Sequence, residues 1–381
     1  MFKNIPKYKK LLVISDTGIL RTANGFKAFG PVVKELEYLL ELFDEITWIG
    51  FEKLSQKENA SYIDISSNKI TPILIKDVGG NTLKAKLNIL RLYPSMFILI
   101  RKEVKRHKFI HSRAPSNPAV IAMFLSFFFR NKKFWHKYAG TWIDNASFFY
   151  KVQRKFLKKL KNNSIITING NFSDKKNIIS FENPCLDMED RALGKKIIKT
   201  KKIQDKIVFC FVGLLNTHKG VDKILEAFIQ IDNYKKIDTL HFVGNGVNKI
   251  IFEKLSRNIK FNVVFHGFLP KNEIKMIYEK SHFILLPSKS EGFPKVIGEA
   301  MNYGCIPIVS DISCIGEYIK DNTNGYLLNP NTIEVLKIKI SEAICLNKEV
   351  FTEWINYNYL IAEKFTYTYY NKRIEIEIFE L

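Results

Sequence analysis

The sequence predicts an α/β protein of two domains, each a parallel sheet covered by helices on both faces, with a cleft between them. Three observations lead there. The length of 381 residues is more than one ordinary core needs and suits two. Short apolar strand patterns alternate with helical patterns in both halves, which is the signature of a parallel sheet. The alternation breaks once, around Asn183-Pro184. Ligands of such sheets bind beyond the carboxyl ends of the strands, so the loops there are where function is sought.

In the first half, Leu11–Ile14 reads as a buried strand, followed by a glycine-containing loop from Asp16 to Gly25. Gly30-Pro31 opens a helix to about Leu42, carrying Val32, Val33, Leu36, Leu39, Leu40 and Phe43 on one stripe. Glu45–Gly50 and Phe109–Ser112 are further strands. A helix bearing Ala119, Val120, Met123, Phe124 and Phe127 precedes the run Lys133–Tyr138. Asp187 to Lys206 is polar and lysine-rich and reads as an interdomain connection. A second α/β run follows, with strands at 207–212, 239–244, 262–265, 283–287 and 306–310 and helices at 221–230, 271–280 and 295–303. The aromatic-rich stretch Trp354–Phe379 reads as a final helix packing back across the gap.

The composition is that of a soluble globular chain, 46% apolar and 25% charged. The five cysteines lie in the second half without a C-x-x-C pair, which argues against a disulfide framework or a zinc site. No signal peptide is expected at the start, and the longest apolar runs, Tyr93–Ile100 and Pro118–Phe129, are shorter than the ~20 residues of a spanning helix. The net charge of +21 is uneven. Residues 1–185 hold 32 Lys+Arg against 14 Asp+Glu, or +18, and residues 186–381 hold 27 against 24, or +3. A basic half of this kind suits an anionic partner such as a membrane surface or a phosphorylated acceptor. No RNA- or DNA-binding motif accompanies it, so no nucleic-acid partner is expected.

Four loops of the second half stand at strand ends. Val212–Gly220 has a glycine leaving the strand and Lys219 just before a helix, where a diphosphate can be held. Val243-Gly244-Asn-Gly246 and His266-Gly267-Phe268 are tight turns whose glycines allow close backbone approach. Each alone reads as an ordinary βα turn. The fourth, Leu286-Pro-Ser-Lys-Ser-Glu291-Gly292-Phe293-Pro294-Lys295-Val-Ile-Gly-Glu299, places Glu291 in the loop and Glu299 within the next helix. Glu299 is flanked by Val296, Ile297, Ala300 and Met301, and a carboxylate in that company needs partners, which sugar or ribose hydroxyls supply.

The ordered set Gly213…Lys219-Gly220, Val243-Gly-Asn-Gly246, His266-Gly267, Pro287-Ser288, Glu291-x7-Glu299-Ala-Met, Gly304-x-x-Pro307 and Asn324-Gly325 resembles the retaining glycosyltransferases of family 4, the group 1 glycosyl transferases. The resemblance is dense over 207–328 and loose over the first half. It implies a GT-B fold: two Rossmann-like domains facing each other across a cleft, with a C-terminal helix crossing back. Residues 1–184 with about 360–381 form an acceptor domain, and 185–359 a donor domain. It implies an enzyme of the hexosyltransferase type, with Glu291 and Lys219 as catalytic residues. Donor contacts are implied at Gly213, Lys219, Gly244, Gly267, Phe268, Glu291, Gly292, Phe293, Pro294, Lys295 and Glu299. Gly18, Asn24 and Gly25 line the acceptor side.

A nucleotide diphosphate-sugar is the implied co-substrate and a lipid-linked saccharide the implied acceptor. No metal is expected, since Lys219 and a helix N-terminus meet the leaving diphosphate and the chain has no Asp-x-Asp pair. The process implied is bacterial surface polysaccharide or lipopolysaccharide synthesis, in the cytoplasm at the inner face of the cytoplasmic membrane. Two positions depart from the family pattern. Leu214 stands where the family has an arginine, and His136 lies earlier than the family's N-domain histidine, as expected of a core histidine. His111, His218 or a nearby lysine could stand in for them. A degenerate, nucleotide-sugar-binding partner protein is the alternative reading.

Overall fold

The computed structural model describes residues 8–53, 61–77, 83–142, 147–161 and 163–379, with the side chains of 83–90 excepted. Two units divide it: the first runs to Phe181 and resumes at Tyr370, and the second is Glu182–Tyr369.

The first unit holds β1 (Tyr8–Thr22), β2 (Gly25–Phe29), α1 (Gly30–Leu39), β3 (Phe43–Lys53), β4 (Tyr62–Asp64), β5 (Ile70–Lys76) and α2 (Leu83–Arg106). Then come β6 (Phe109–Ala114), α3 (Asn117–Ser126), β7 (Lys133–Tyr138), α4 (Phe148–Leu157), β8 (Ser164–Ile168) and β9 (Ile178–Ser180). Parallel pairing runs β5-β3-β1-β6-β7-β8-β9, β2 adds antiparallel to the far end of β1, and β4 pairs antiparallel with β2. Leu11 to Ile14 are fully buried at the sheet's centre and alternate between its faces. Leu11 and Val13 join α1 residues in one core, while Leu12 and Ile14 join α2 and α3 residues in the other.

The expected loop at 16–25 is instead the second half of β1 and a hairpin. A shift of register between Ile14 and Gly18 lets the strand continue past the polar Ser15-Asp16-Thr17 stretch. Gly18 therefore lies inside β1, and Ala23-Asn24 form the turn, with Thr22 opposite Gly25, the first residue of β2. Tyr93–Ile100 forms the middle of α2, and α1 ends at Leu39, three residues short of the expected end. Residues from Tyr370 return to this unit, where the Tyr370 hydroxyl donates to buried Glu35 at 2.9 Å. Glu35 also receives Arg113 at 2.7 Å and Lys137 at 3.0 Å, so its charge is matched inside the unit.

The second unit begins with α5 (Met188–Thr200), where a connection was expected. Asp187 and Asp190 form a reciprocal capping box that nucleates the helix despite its lysines. Gly194 lets it approach closely: a Cβ there would come within 2.3 Å of the Asn302 carbonyl. The polar pattern hid a buried face because Asp190, Arg191 and Gly194 share that face with only two apolar residues, Ile197 and Ile198. Asp190, wholly buried, takes Lys271 at 2.5 Å, Lys275 at 2.6 Å and the Tyr303 hydroxyl at 2.8 Å.

Then follow β10 (Ile207–Val212), α6 (Val221–Ile229), β11 (Ile237–Val243), α7 (Lys249–Ser256), β12 (Asn262–Gly267), α8 (Lys271–Lys280) and β13 (Phe283–Leu286). α9 (Lys295–Asn302), β14 (Ile306–Ser310), α10 (Ile315–Tyr318), β15 (Tyr326–Leu328), α11 (Ile333–Ile344) and α12 (Lys348–Ala362) complete it. The sheet is wholly parallel, in the order β12-β11-β10-β13-β14-β15. The aromatic C-terminal stretch is not one helix. α12 stops at Ala362, a short turn at Glu363–Phe365 follows, and α13 (Tyr367–Arg373) and a π-helical segment Ile374–Phe379 finish the chain.

Candidate functional site

In the second sheet the order of strands reverses between β10 and β13, so the loops leaving these two neighbours stand side by side at the point where such sheets bind their ligands. Those loops are 213–220 and 287–294, the first and fourth singled out in the sequence. They meet through an ion pair of Lys219 Nζ with Glu291 Oε1, both side chains mostly buried. Backbone pairing ties the loops further: Lys289 N–H donates to the His218 carbonyl at 2.8 Å, and His218 Nε2 and Ser290 Oγ share a 3.0 Å hydrogen bond. Lys219 N–H donates to Asn216 Oδ1 at 2.9 Å, which fixes the lysine where α6 begins.

The three glycine turns form a row across the strand ends. Gly213 N–H donates to the Val243 carbonyl at 2.9 Å, and Gly244 N–H to the Gly267 carbonyl at 2.7 Å. Gly244 sits at φ +130°, and a Cβ on it would lie 1.9 Å from the Gly213 carbonyl oxygen. Only glycine fits, so the row is a surface of bare backbone against which a flat or charged group can lie. Phe268 follows Gly267 and is half exposed. Leu214 also projects outward, 61% exposed, and offers no charge.

The segment Gly292–Lys295 is held from behind. Phe293 is buried and stacks on Phe365 at 4.5 Å between centroids, with Tyr318 at 5.1 Å. The Lys295 carbonyl receives the Cys185 thiol at 3.6 Å, and Pro294 precedes α9, whose N-terminus has no side-chain cap. An uncapped N-terminus presents free N–H groups and the positive end of the helix dipole. Asn331 Nδ2 donates to the carbonyls of Pro287 and Ser288 at 3.0 Å each and to Ser310 Oγ at 2.8 Å, pinning the loop's start.

Glu299 lies one turn into α9, half-buried, and accepts from the Tyr278 hydroxyl at 3.3 Å. Burial pushes its carboxyl up to about 7, with the Asp190 charge adding to the rise and Lys271 and Lys295 pulling the other way. A carboxyl poised there has room for further hydrogen-bond donors. Lys271, Tyr278 and Asn331 were not found by sequence reasoning. They reach the site from α8 and from the segment before α11, and no local spacing marks them.

The remaining candidates lie in the first unit. Gly18, Asn24 and Gly25 belong to the β1–β2 hairpin, as described. His136 is inside β7, fully buried, bonded through Nδ1 to Ser112 Oγ at 2.7 Å, and burial lowers it to about 3. It is a core histidine. His111 is also buried, stacked on Trp135 at 3.7 Å, and held well below its ordinary value chiefly by burial. Among the described residues there is no group of three or more His, Cys, Asp or Glu arranged to hold a metal.

Residues 194–360 match the family model of glycosyl transferases group 1. The chain is 27% identical over 257 residues to an uncharacterized 41.2 kDa protein of the cps region of Klebsiella pneumoniae, covering 62% of this chain and 69% of that protein. It spans about half the length of two further curated relatives, both named as glycosyltransferases. Among solved structures, Anabaena Alr3699/HepE in complex with UDP superposes with TM-score 0.71 at 14% identity, over 98% of this chain and 100% of that one. The lipopolysaccharide outer core galactosyltransferase WaaB superposes with TM-score 0.68 at 17% identity, over 98% and 99%. The fold is GT-B, the second unit carries a group 1 glycosyl transferase domain, and the chain is a glycosyltransferase.

Proposed function

We propose that this glycosyltransferase moves a hexosyl group from a nucleotide diphosphate-sugar to a lipid-linked saccharide, with retention at the anomeric carbon and without a metal. The setting we propose is bacterial surface polysaccharide or lipopolysaccharide synthesis at the inner face of the cytoplasmic membrane. The observation that carries the reading is the meeting of Lys219 and Glu291 beside the glycine row and the uncapped start of α9.

The chemistry follows from charge. As the bond from sugar to diphosphate lengthens, positive charge gathers on the anomeric carbon and negative charge on the departing diphosphate. Lys219 and the α9 N-terminus oppose the latter, supplying from the protein the charge that a divalent ion would otherwise bring. On donor binding Lys219 exchanges Glu291 for the diphosphate, which frees the Glu291 carboxylate for the donor sugar's hydroxyls. Glu299, ionised, accepts from the ribose hydroxyls. Backbone from Gly292 to Lys295 and the turns at Gly213, Gly244, Gly267 and Phe268 frame the nucleotide. The hairpin bearing Gly18, Asn24 and Gly25 faces the acceptor.

The relative encoded in a cps region and the likeness to a lipopolysaccharide galactosyltransferase support the choice of process. The exposed Leu214 favours a second reading, a nucleotide-sugar-binding partner without turnover. Thermal shift against UDP, GDP, ADP and CMP tests the site. One nucleotide should raise the melting temperature, and the rise should vanish in Glu299→Ala. No rise with any of them refutes the donor site. Stabilisation by a nucleotide without release of sugar from any cognate donor selects the partner reading.

A further inference from the structure

We infer that the outer face of α2, α3 and α4 is the surface by which the first unit docks on an anionic lipid bilayer, with an acyl chain entering the groove among these helices. The inference builds on the membrane-surface part of the reading above and assigns that contact to one face.

The groove has a volume of about 580 Å³, within the range of small-molecule sites. Its walls are apolar: Tyr93 and Phe97 from α2, Val120 and Phe124 from α3, Val152 and Phe156 from α4. Lys155 of α4 and Lys159, just past its end, also line it. Around it, large apolar side chains stand in water. Phe148 is 83% exposed, Ile98 68% and Phe128 67%, and Phe149, Tyr150 and Val152 are each exposed as well. Phe128 packs on the groove-wall residue Phe124, 5.0 Å between centroids, and Phe148 stands one turn before the wall residue Val152 on α4. Exposed apolar residues that gather in this way mark a contact surface, whereas scattered single residues do not.

Charge selects the occupant. Residues 117–132 and 147–161 contain eight Lys or Arg and no Asp or Glu. On α2 the one carboxylate, Glu103, is buried and bonded to Arg106 at 3.1 Å. α4 shows the pattern of an interfacial helix: aromatic Phe148, Phe149 and Tyr150 at one end, with Lys151 and Lys155 exposed beside them and Gln153, Arg154 and Leu157 buried beneath. A second hollow, lined by Ser126, Phe127, Arg130, Lys161 and Asn163, adjoins the groove through the Phe127–Phe156 contact, 5.5 Å between centroids. Arg130 and Lys161 of that hollow, like Lys155 and Lys159 of the groove, offer a lipid phosphate its counter-charge. A nucleic acid matches the charge but not the groove, whose walls are apolar apart from the Tyr93 hydroxyl and the two lysines and hold no carboxylate or amide to read a base.

The test is sedimentation of the full chain with vesicles of phosphatidylcholine alone or mixed with phosphatidylglycerol, without donor present. The mixed vesicles should bind at least about tenfold more protein at low salt, and high salt should weaken the binding. Phe148→Glu with Val152→Glu, and separately Lys155→Glu with Lys159→Glu, should each reduce vesicle binding about tenfold or more while leaving the nucleotide-induced thermal shift intact. In a Phe148→Trp chain, tryptophan emission should move to the blue on mixing with anionic vesicles. Equal binding to neutral vesicles, variants that bind like the parent, or tighter binding of RNA than of vesicles overturns the proposal. So does self-association lost in the Phe148 variant, which would give the face to a second copy. Because vesicle binding is read without nucleotide, its failure is separate from a failure of the donor site.

Discussion

Glu299→Gln removes a charge that the interior disfavours while keeping the side chain's size and its reach to Tyr278. The carboxyl is raised from its ordinary 4.5 to about 7, mainly by burial. Between those values the folded protein holds a proton that the unfolded chain has released, so stability falls as pH rises from 4.5 to 7 and stays lower above that. The difference of 2.5 units (7 − 4.5) corresponds to a ceiling of about 3 kcal/mol. Water reaches the half-buried side chain, so the realised penalty is about 1–2 kcal/mol. Glutamine does not carry it, and at about pH 8 the variant should melt ~2–8 °C above the parent. Near pH 4, where both states of the glutamate are protonated, the two melting curves should nearly coincide. Calorimetry at both pH values is the assay. The same variant should lose the nucleotide-induced rise, because a neutral amide accepts ribose hydroxyl hydrogen bonds more weakly than a carboxylate. An equal change at both pH values, or a less stable variant at pH 8, refutes the claim that Glu299 is held against its ionisation.

Lys219→Met should lower kcat/KM by about 10²–10³-fold, measured as nucleotide release from a cognate donor. It should also destabilise, since it strands the buried Glu291 carboxylate, and adding Glu291→Gln should restore the melting temperature but not turnover. Gly244→Ala should cost about 2–4 kcal/mol in urea unfolding of the second unit, because its Cβ would meet the Gly213 carbonyl at 1.9 Å. A loss under about 0.5 kcal/mol would mean that the glycine row yields easily.

Much of the second unit was legible in the sequence, because its parallel strands are continuous apolar runs that end in glycine, proline or serine. Ile207–Val212, Lys271–Lys280 and Ile306–Ser310 stand where the pattern put them. The chain pattern also marked the turns at Gly213, Gly244 and Gly267, since a glycine required by close approach is visible as a glycine.

Where periodicity was interrupted, the sequence was silent or misleading. β1 passes through its polar middle because a register shift absorbs Asp16–Thr17, and pairing with β2, not local propensity, keeps it extended. α5 looked like a linker because three of its five buried residues are Asp190, Arg191 and Gly194, whose partners Lys271, Tyr303, Glu363 and Asn302 lie far along the chain.

What the sequence by itself determined is the alternation of strands and helices, the glycine turns at the strand ends, and the two glutamates, with seven residues between them, on a loop and its helix. What only the tertiary structure decided is which of these meet. Strand order in a sheet is not sequence order, and β13 lies beside β10 although two strands intervene along the chain. That adjacency pairs Lys219 with Glu291, and the packing of α5, α8 and α9 brings Asp190, Lys271 and Tyr278 around Glu299 and moves its titration to about 7.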